Sequence, residues 1–202
     1  MCGRSSEARE LFHRAKEIID DLGLPIVAAG ASQERFDIEM LAGDPEAAEV
    51  ELRGACETLE QLGEKGFLST RAGLLAHALC AQGRYEEAVP FFEVAVEAGS
   101  EDDQSTQALW RSARAKVLAQ QGDVDEALRL AREAVAIVAQ TDWLNTRGDA
   151  LLDLAEVLEL AGMLDEAPPT AEGGPYLTQR GRCLRRRACR RQDDLRPLTT
   201  TD

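Results

Sequence analysis

Apolar positions recur at helical spacing along most of the chain, and the stripes break at regular intervals. Leu11, Ala15, Ile18, Ile19 and Leu22 share one face of a helix predicted over residues 6–22, which Gly23 ends before Pro25. A weaker stripe follows, with Val27, Phe36, Ile38, Met40 and Leu41, and Gly30-Ala31 interrupt its early part. Ala48, Leu52, Ala55 and Leu59 form the next stripe. Leu75, Ala76 and Leu79 are answered by Ala88, Phe92 and Ala95. Trp110, Ala115 and Leu118 lead to Ala127, Ala131 and Ala134, and Leu151, Leu154, Ala155 and Leu158 make the last clear stripe.

The turns between these stripes repeat one motif. Gly83-Arg84-Tyr85-Glu86-Glu87-Ala88 has counterparts beginning at Gly43, Gly122 and Gly162, separated by 40, 39 and 40 residues, each with Ala five positions after Gly. A fixed period of this size marks a repeat architecture. Gly supplies the left-handed residue that ends one helix, an acid in the next first turn suits the helix dipole, and the small Ala lets the second helix lie close to the first. Each unit is therefore two antiparallel helices and a tight turn.

This reading divides the chain into a leading helix over residues 1–24, repeat units at about 25–63, 66–99, 103–140 and 143–167, and a remainder over 168–202. The leading helix looks like the second helix of a unit whose first helix is missing; it caps the array or the chain begins inside a larger one. Ser100 to Asp103 reads as a capping box opening the third unit, and Thr141-Asp142 opens the fourth. Pro90 is expected near the start of its helix, where a missing donor costs least. The fourth unit's second helix should begin at Asp165, but Pro168-Pro169 and Gly173-Gly174-Pro175 interrupt it.

Composition changes the picture in two places. Aromatic residues are only 4% of the chain and its net charge is −14, which suits a helical array and argues against a nucleic-acid surface on the main body. Residues 168–202 differ: eight arginines, no lysine and four acids give +4, leaving −18 on the rest. This segment reads as a disordered Arg-rich tail; a basic arm for nucleic acid or an acidic partner and a continued helix through 184–191 are the alternatives. Loss of the repeat inside a unit also fits truncation or an out-of-frame read. No apolar run is long enough to span a bilayer. The scattered cysteines 2, 56, 80, 183 and 189, with no apolar signal core after Met1, imply free thiols in a cytoplasmic chain.

Catalytic chemistry finds no constellation. There is no G-x-x-x-x-G-K-[ST] and no G-x-S-x-G; Gly63-Glu64-Lys65-Gly66 reads as an interhelix loop. His13 and His77 fall in different units without ligand spacing, Cys183 and Cys189 lack companions, and Arg147-Gly148-Asp149 sits inside a predicted helix. No cofactor, metal or catalytic residue is expected.

The Gly-Arg-Tyr-Glu-Glu-Ala turn followed by Phe92 and Ala95 resembles a tetratricopeptide repeat over residues 25–167, with a period longer than the usual 34. The segments at 37–48 (DIEMLAGDPEAA), 109–119 (LWRSARAKVLA) and 150–158 (ALLDLAEVL) resemble the C-terminal repeat region of bacterial multidomain proteins with a class III adenylate/guanylate cyclase domain and an AAA-type ATPase domain. The resemblance implies a right-handed, all-α solenoid of antiparallel helix pairs. It also implies a non-catalytic regulatory module, with no catalytic residue carried over. The sensor region of a tetratricopeptide transcription regulator is the alternative reading.

Leading helices of such arrays line the concave side, which binds partners. Six positions before each turn glycine lie His77, Lys116 and Glu156; neighbouring turns of that face add Gly73, Ser112, Leu152, Cys80, Ala119 and Glu159. The candidate groove is thus His77, Cys80, Ser112, Lys116, Asp149, Glu156 and Glu159, of mixed charge, for a protein or peptide segment. Arrays that clamp a peptide's terminal carboxylate place Lys and Asn here; only Lys116 fits, and as a long charged side chain it is expected at the solvated surface.

Overall fold

A computed structural model describes residues 4–163 of the chain. Among the described residues the secondary structure is nine α-helices and no strand: α1 (Ser5–Asp21), α2 (Pro25–Gly30), α3 (Ser32–Ala42), α4 (Pro45–Leu62), α5 (Lys65–Ala81), α6 (Tyr85–Ala98), α7 (Gln104–Gln121), α8 (Val124–Val138) and α9 (Leu144–Leu160). The fourth unit's second helix and the Arg-rich 168–202 segment lie outside the described residues.

The repeat motif closes the turns in the way its residues require. Gly83 and Gly122 sit at φ +79° and +87°, a region closed to most side chains. The residue after each returns its N–H to the last helical turn, Arg84 to Leu79 O at 3.0 Å and Asp123 to Leu118 O at 3.0 Å, which is the Schellman arrangement. The same device recurs at Gly23, Gly43, Gly63 and Gly162, so from Gly23 to Gly83 the chain reverses every 20 residues. Acids then open several of the following helices: the Asp44 carboxylate accepts from Ala47 N at 3.1 Å, and Glu64 accepts from Phe67 N at 2.7 Å.

Helices α3, α5, α7 and α9 pack side by side as one layer. Helices α4, α6 and α8 each touch only helices of the inner set or α2, never one another. Close contact within one layer and separation within the other curves the array, with α3, α5, α7 and α9 on the concave side. Small residues permit the approach: Ala48, Ala88 and Ala127, one per turn motif, are fully buried between paired helices. Helix α5 is enclosed all round, with twelve of its seventeen residues buried. The fold is an all-α solenoid of the tetratricopeptide type.

Four expectations are corrected. The first leading helix is broken at Ala31 into α2 and α3, since the interruption at Gly30-Ala31 leaves two short helices where one was expected. Asp103, not Ser100, caps α7, because it is the Asp103 carboxylate that reaches Thr106 N at 3.1 Å. Pro90 lies in the second turn of α6, so the Glu86 carbonyl loses its helical partner. Most of the apolar stripe of α1 does not face the array. Arg9, Phe12, Lys16 and Ile19 do, because Arg9 pairs with the buried Glu39 at 2.9 Å and Lys16 with Glu51, rotating Leu11, Ile18 and Leu22 into solvent.

Candidate functional site

The concave layer encloses a cavity of about 520 Å³ lined by α3, α5, α7, α9 and the turn before α9. Each inner helix contributes one stripe at helical spacing. Helix α5 gives Thr70, Leu74 and His77; α7 gives Ser105, Ala108, Leu109 and Ser112; α9 gives Thr146, Asp149, Ala150 and Asp153; and α3 adds Gln33, Phe36 and Asp37. Gly73 makes the floor possible: a Cβ there would meet Leu109 Cδ2 at 2.6 Å, so its absence lets α5 and α7 close. The Thr70 and Thr106 hydroxyls bridge the same two helices at 2.9 Å. At the rim stand Trp143 and Leu144, 46% and 72% exposed. The lining includes four carboxylates, at positions 37, 142, 149 and 153, and neither lysine nor arginine.

Beneath this floor lies a buried polar cluster joining three repeats. The Lys116 ammonium on α7 sits 2.6 Å from Asp153 Oδ1 and 2.9 Å from Glu156 Oε2, both on α9. His77 on α5 donates from Nε2 to the Leu109 carbonyl at 2.9 Å, since a carbonyl can only accept. Its Nδ1 is then left to face the Lys116 ammonium at 3.5 Å and Asp153 at 3.8 Å. Desolvation works against the Lys116 charge, but the two carboxylates outweigh it and hold its pKa above the ordinary lysine value. The Cys80 thiol, also on this floor, is pushed up to about 12 by burial and points toward the Ala113 carbonyl. Such a thiol is protonated and inert at neutral pH.

The seven sequence-derived groove residues thus separate into two sets. His77, Ser112 and Asp149 line the cavity. Cys80 is fully buried and Lys116 is 5% exposed, so neither presents a surface to a partner, contrary to the expectation of a solvated Lys116. Glu156 is spent on Lys116, and Glu159 lies near the end of α9, its carbonyl accepting from Gly162 N at 3.0 Å. Asp153 completes the cluster and shares no signal with the other members in the sequence. An acid set among Leu151, Leu152 and Leu154 was its only trace. Among the described residues no group of His, Cys, Asp and Glu is placed to hold a metal ion, and no helix is long and apolar enough to cross a membrane.

The fold defines a helical-repeat array of the tetratricopeptide type. Residues 67–140, from α5 to just past α8, match the tetratricopeptide repeat family. The chain is also similar in fold to the crystal structure of BtubC (BKLC) from P. vanneervenii, with a TM-score of 0.60 and 18% sequence identity, over 99% of this chain and 79% of that one. No curated protein matches the chain.

Proposed function

We propose that this chain is a non-catalytic regulatory module that holds a protein or peptide segment in the groove of α3, α5, α7 and α9. The observation that carries the proposal is the cavity itself. Its hydrogen-bonding groups line one concave layer, and its rim offers Trp143 as an aromatic anchor. The buried ion cluster fixes the spacing of the three inner helices, so the groove is preorganised. The resemblance of residues 37–48, 109–119 and 150–158 to cyclase–ATPase proteins makes the catalytic parts of such a cytoplasmic signalling protein the partners to try first.

Titration of the purified chain with isolated cyclase and AAA-type ATPase domains, read by calorimetry, tests this. Binding should give a saturable heat. Asp149→Arg in the groove should weaken binding, while Arg129→Glu, on the outer helix α8, should not. Equal effects of the two substitutions would remove the groove as the working surface. Groove-dependent binding of another protein, with none to either catalytic domain, would overturn the signalling context alone.

A further inference from the structure

We propose that the outward face of α1 pairs two copies of this chain through an antiparallel contact between their α1 helices. This surface is independent of the groove. No residue of α1 is buried. Its inner edge is held by Arg9 to Glu39 and Lys16 to Glu51, with Phe12 under the Arg35 guanidinium at 5.7 Å. Its outer edge carries Leu11, Ile18 and Leu22 at 58%, 61% and 65% exposure, with Ala15 exposed between them. Single exposed apolar residues are ordinary, but Leu11, Ala15, Ile18 and Leu22 recur along one line of the helix, and such a continuous stripe marks an interface.

The stripe itself selects the partner. Its spacing is 4, 3, 4 (positions 11, 15, 18 and 22), which reads the same from either end and is the seam of a helix pair. Turned end for end, a second α1 sets its Leu22 opposite Leu11 and its Ile18 opposite Ala15, large against small. The charges agree. Arg14 and Asp21 are exposed along one border of the stripe. The two-fold axis of an antiparallel pair brings Arg14 of each copy within one helical turn of Asp21 of the other, giving two reciprocal ion pairs. A parallel pair would set Ala15 on Ala15 and form neither. Three turns of helix cover less than the ~800 Å² per partner of a standard interface, so the dimer is weak and concentration-dependent.

Sedimentation equilibrium of the full 202-residue chain tests this. The mass should rise toward twice the monomer over loadings of roughly 1–200 µM, which bracket micromolar dissociation constants. Ile18→Glu should hold it at the monomer. Arg14→Asp should raise the dissociation constant about tenfold by setting like charges together, and adding Asp21→Arg should restore it. These positions are exposed, so unchanged circular dichroism melts separate lost pairing from lost fold. A parent that stays monomeric throughout, a dimer indifferent to Ile18→Glu, or a double exchange no tighter than Arg14→Asp alone would each overturn the proposal.

Discussion

At the scale of single residues, the Lys116 cluster sets the strongest expectation. Breaking a buried ion pair by removing one partner costs about 3–5 kcal/mol, because the remaining charge is left unpaired in low dielectric. Lys116→Met should destabilise the chain by that order, leaving Asp153 and Glu156 one turn apart on α9 with like charge. Adding Asp153→Asn and Glu156→Gln should recover much of the loss in urea melts; no recovery would mean that Lys116 acts through packing alone. The thiols make a second expectation. Burial pushes Cys56 and Cys80 up to about 12, so above pH ~9 the unfolded chain ionises first and stability falls as pH rises toward 12. The Lys116 contribution has the same sign: it is complete below the ordinary lysine value of ~10.4 and is lost only above it. Melts from pH 8 to 11 should show this decline, and a Cys56→Ser, Cys80→Ala variant should show a shallower one. Equal slopes would contradict thiol burial as the cause. Three cluster members were legible, since equivalent offsets from the turn glycines gave His77, Lys116 and Glu156. The rule that long charged side chains are mostly exposed places Lys116 in solvent. Two carboxylates, 37 and 40 residues downstream on α9, reverse that rule, and offsets along one helix cannot show them.

At the scale of helices, close approach is the governing quantity, and two pairs of substitutions measure it. Ala88 and Ala127 have no exposed surface, so Leu at either should overpack the helix pair at a cost of about 1–3 kcal/mol. Thermal melts matching the parent would place the contact elsewhere. Gly54 and Gly73 form a control pair. Nothing lies within 4 Å of a Cβ built at Gly54, so Gly54→Ala should gain up to about 1 kcal/mol from helix propensity. The same change at Gly73 meets Leu109 Cγ at 3.0 Å and should forfeit that gain by parting α5 from α7. Equal gains at the two sites would contradict the tight α5–α7 contact. Helix existence was legible because 3.6-residue stripes and Gly turns agree. The orientation of α1 was not: its apolar stripe is clear in sequence, but the partners that turn it outward, Glu39 and Glu51, lie 30 and 35 residues downstream of Arg9 and Lys16.

At the scale of the whole molecule, the 40-residue period made the solenoid legible, because each unit needs only its neighbours to bury its small residues. The concave layer followed from the same repeat. Asp149 was legible as a groove residue, but the depth and full acidity of the groove were not, since Asp142 reaches it from the turn before α9 and Asp37 from α3, neither of which the offsets counted on α5, α7 and α9 include. The claim that the inner layer is the working surface is tested most directly by amide hydrogen exchange on the chain with and without a bound catalytic domain of a cyclase–ATPase protein. Binding should slow exchange in α5, the first half of α7 and residues 142–153, and leave α6 and α8 unchanged. Protection confined to α6 and α8 would contradict the account.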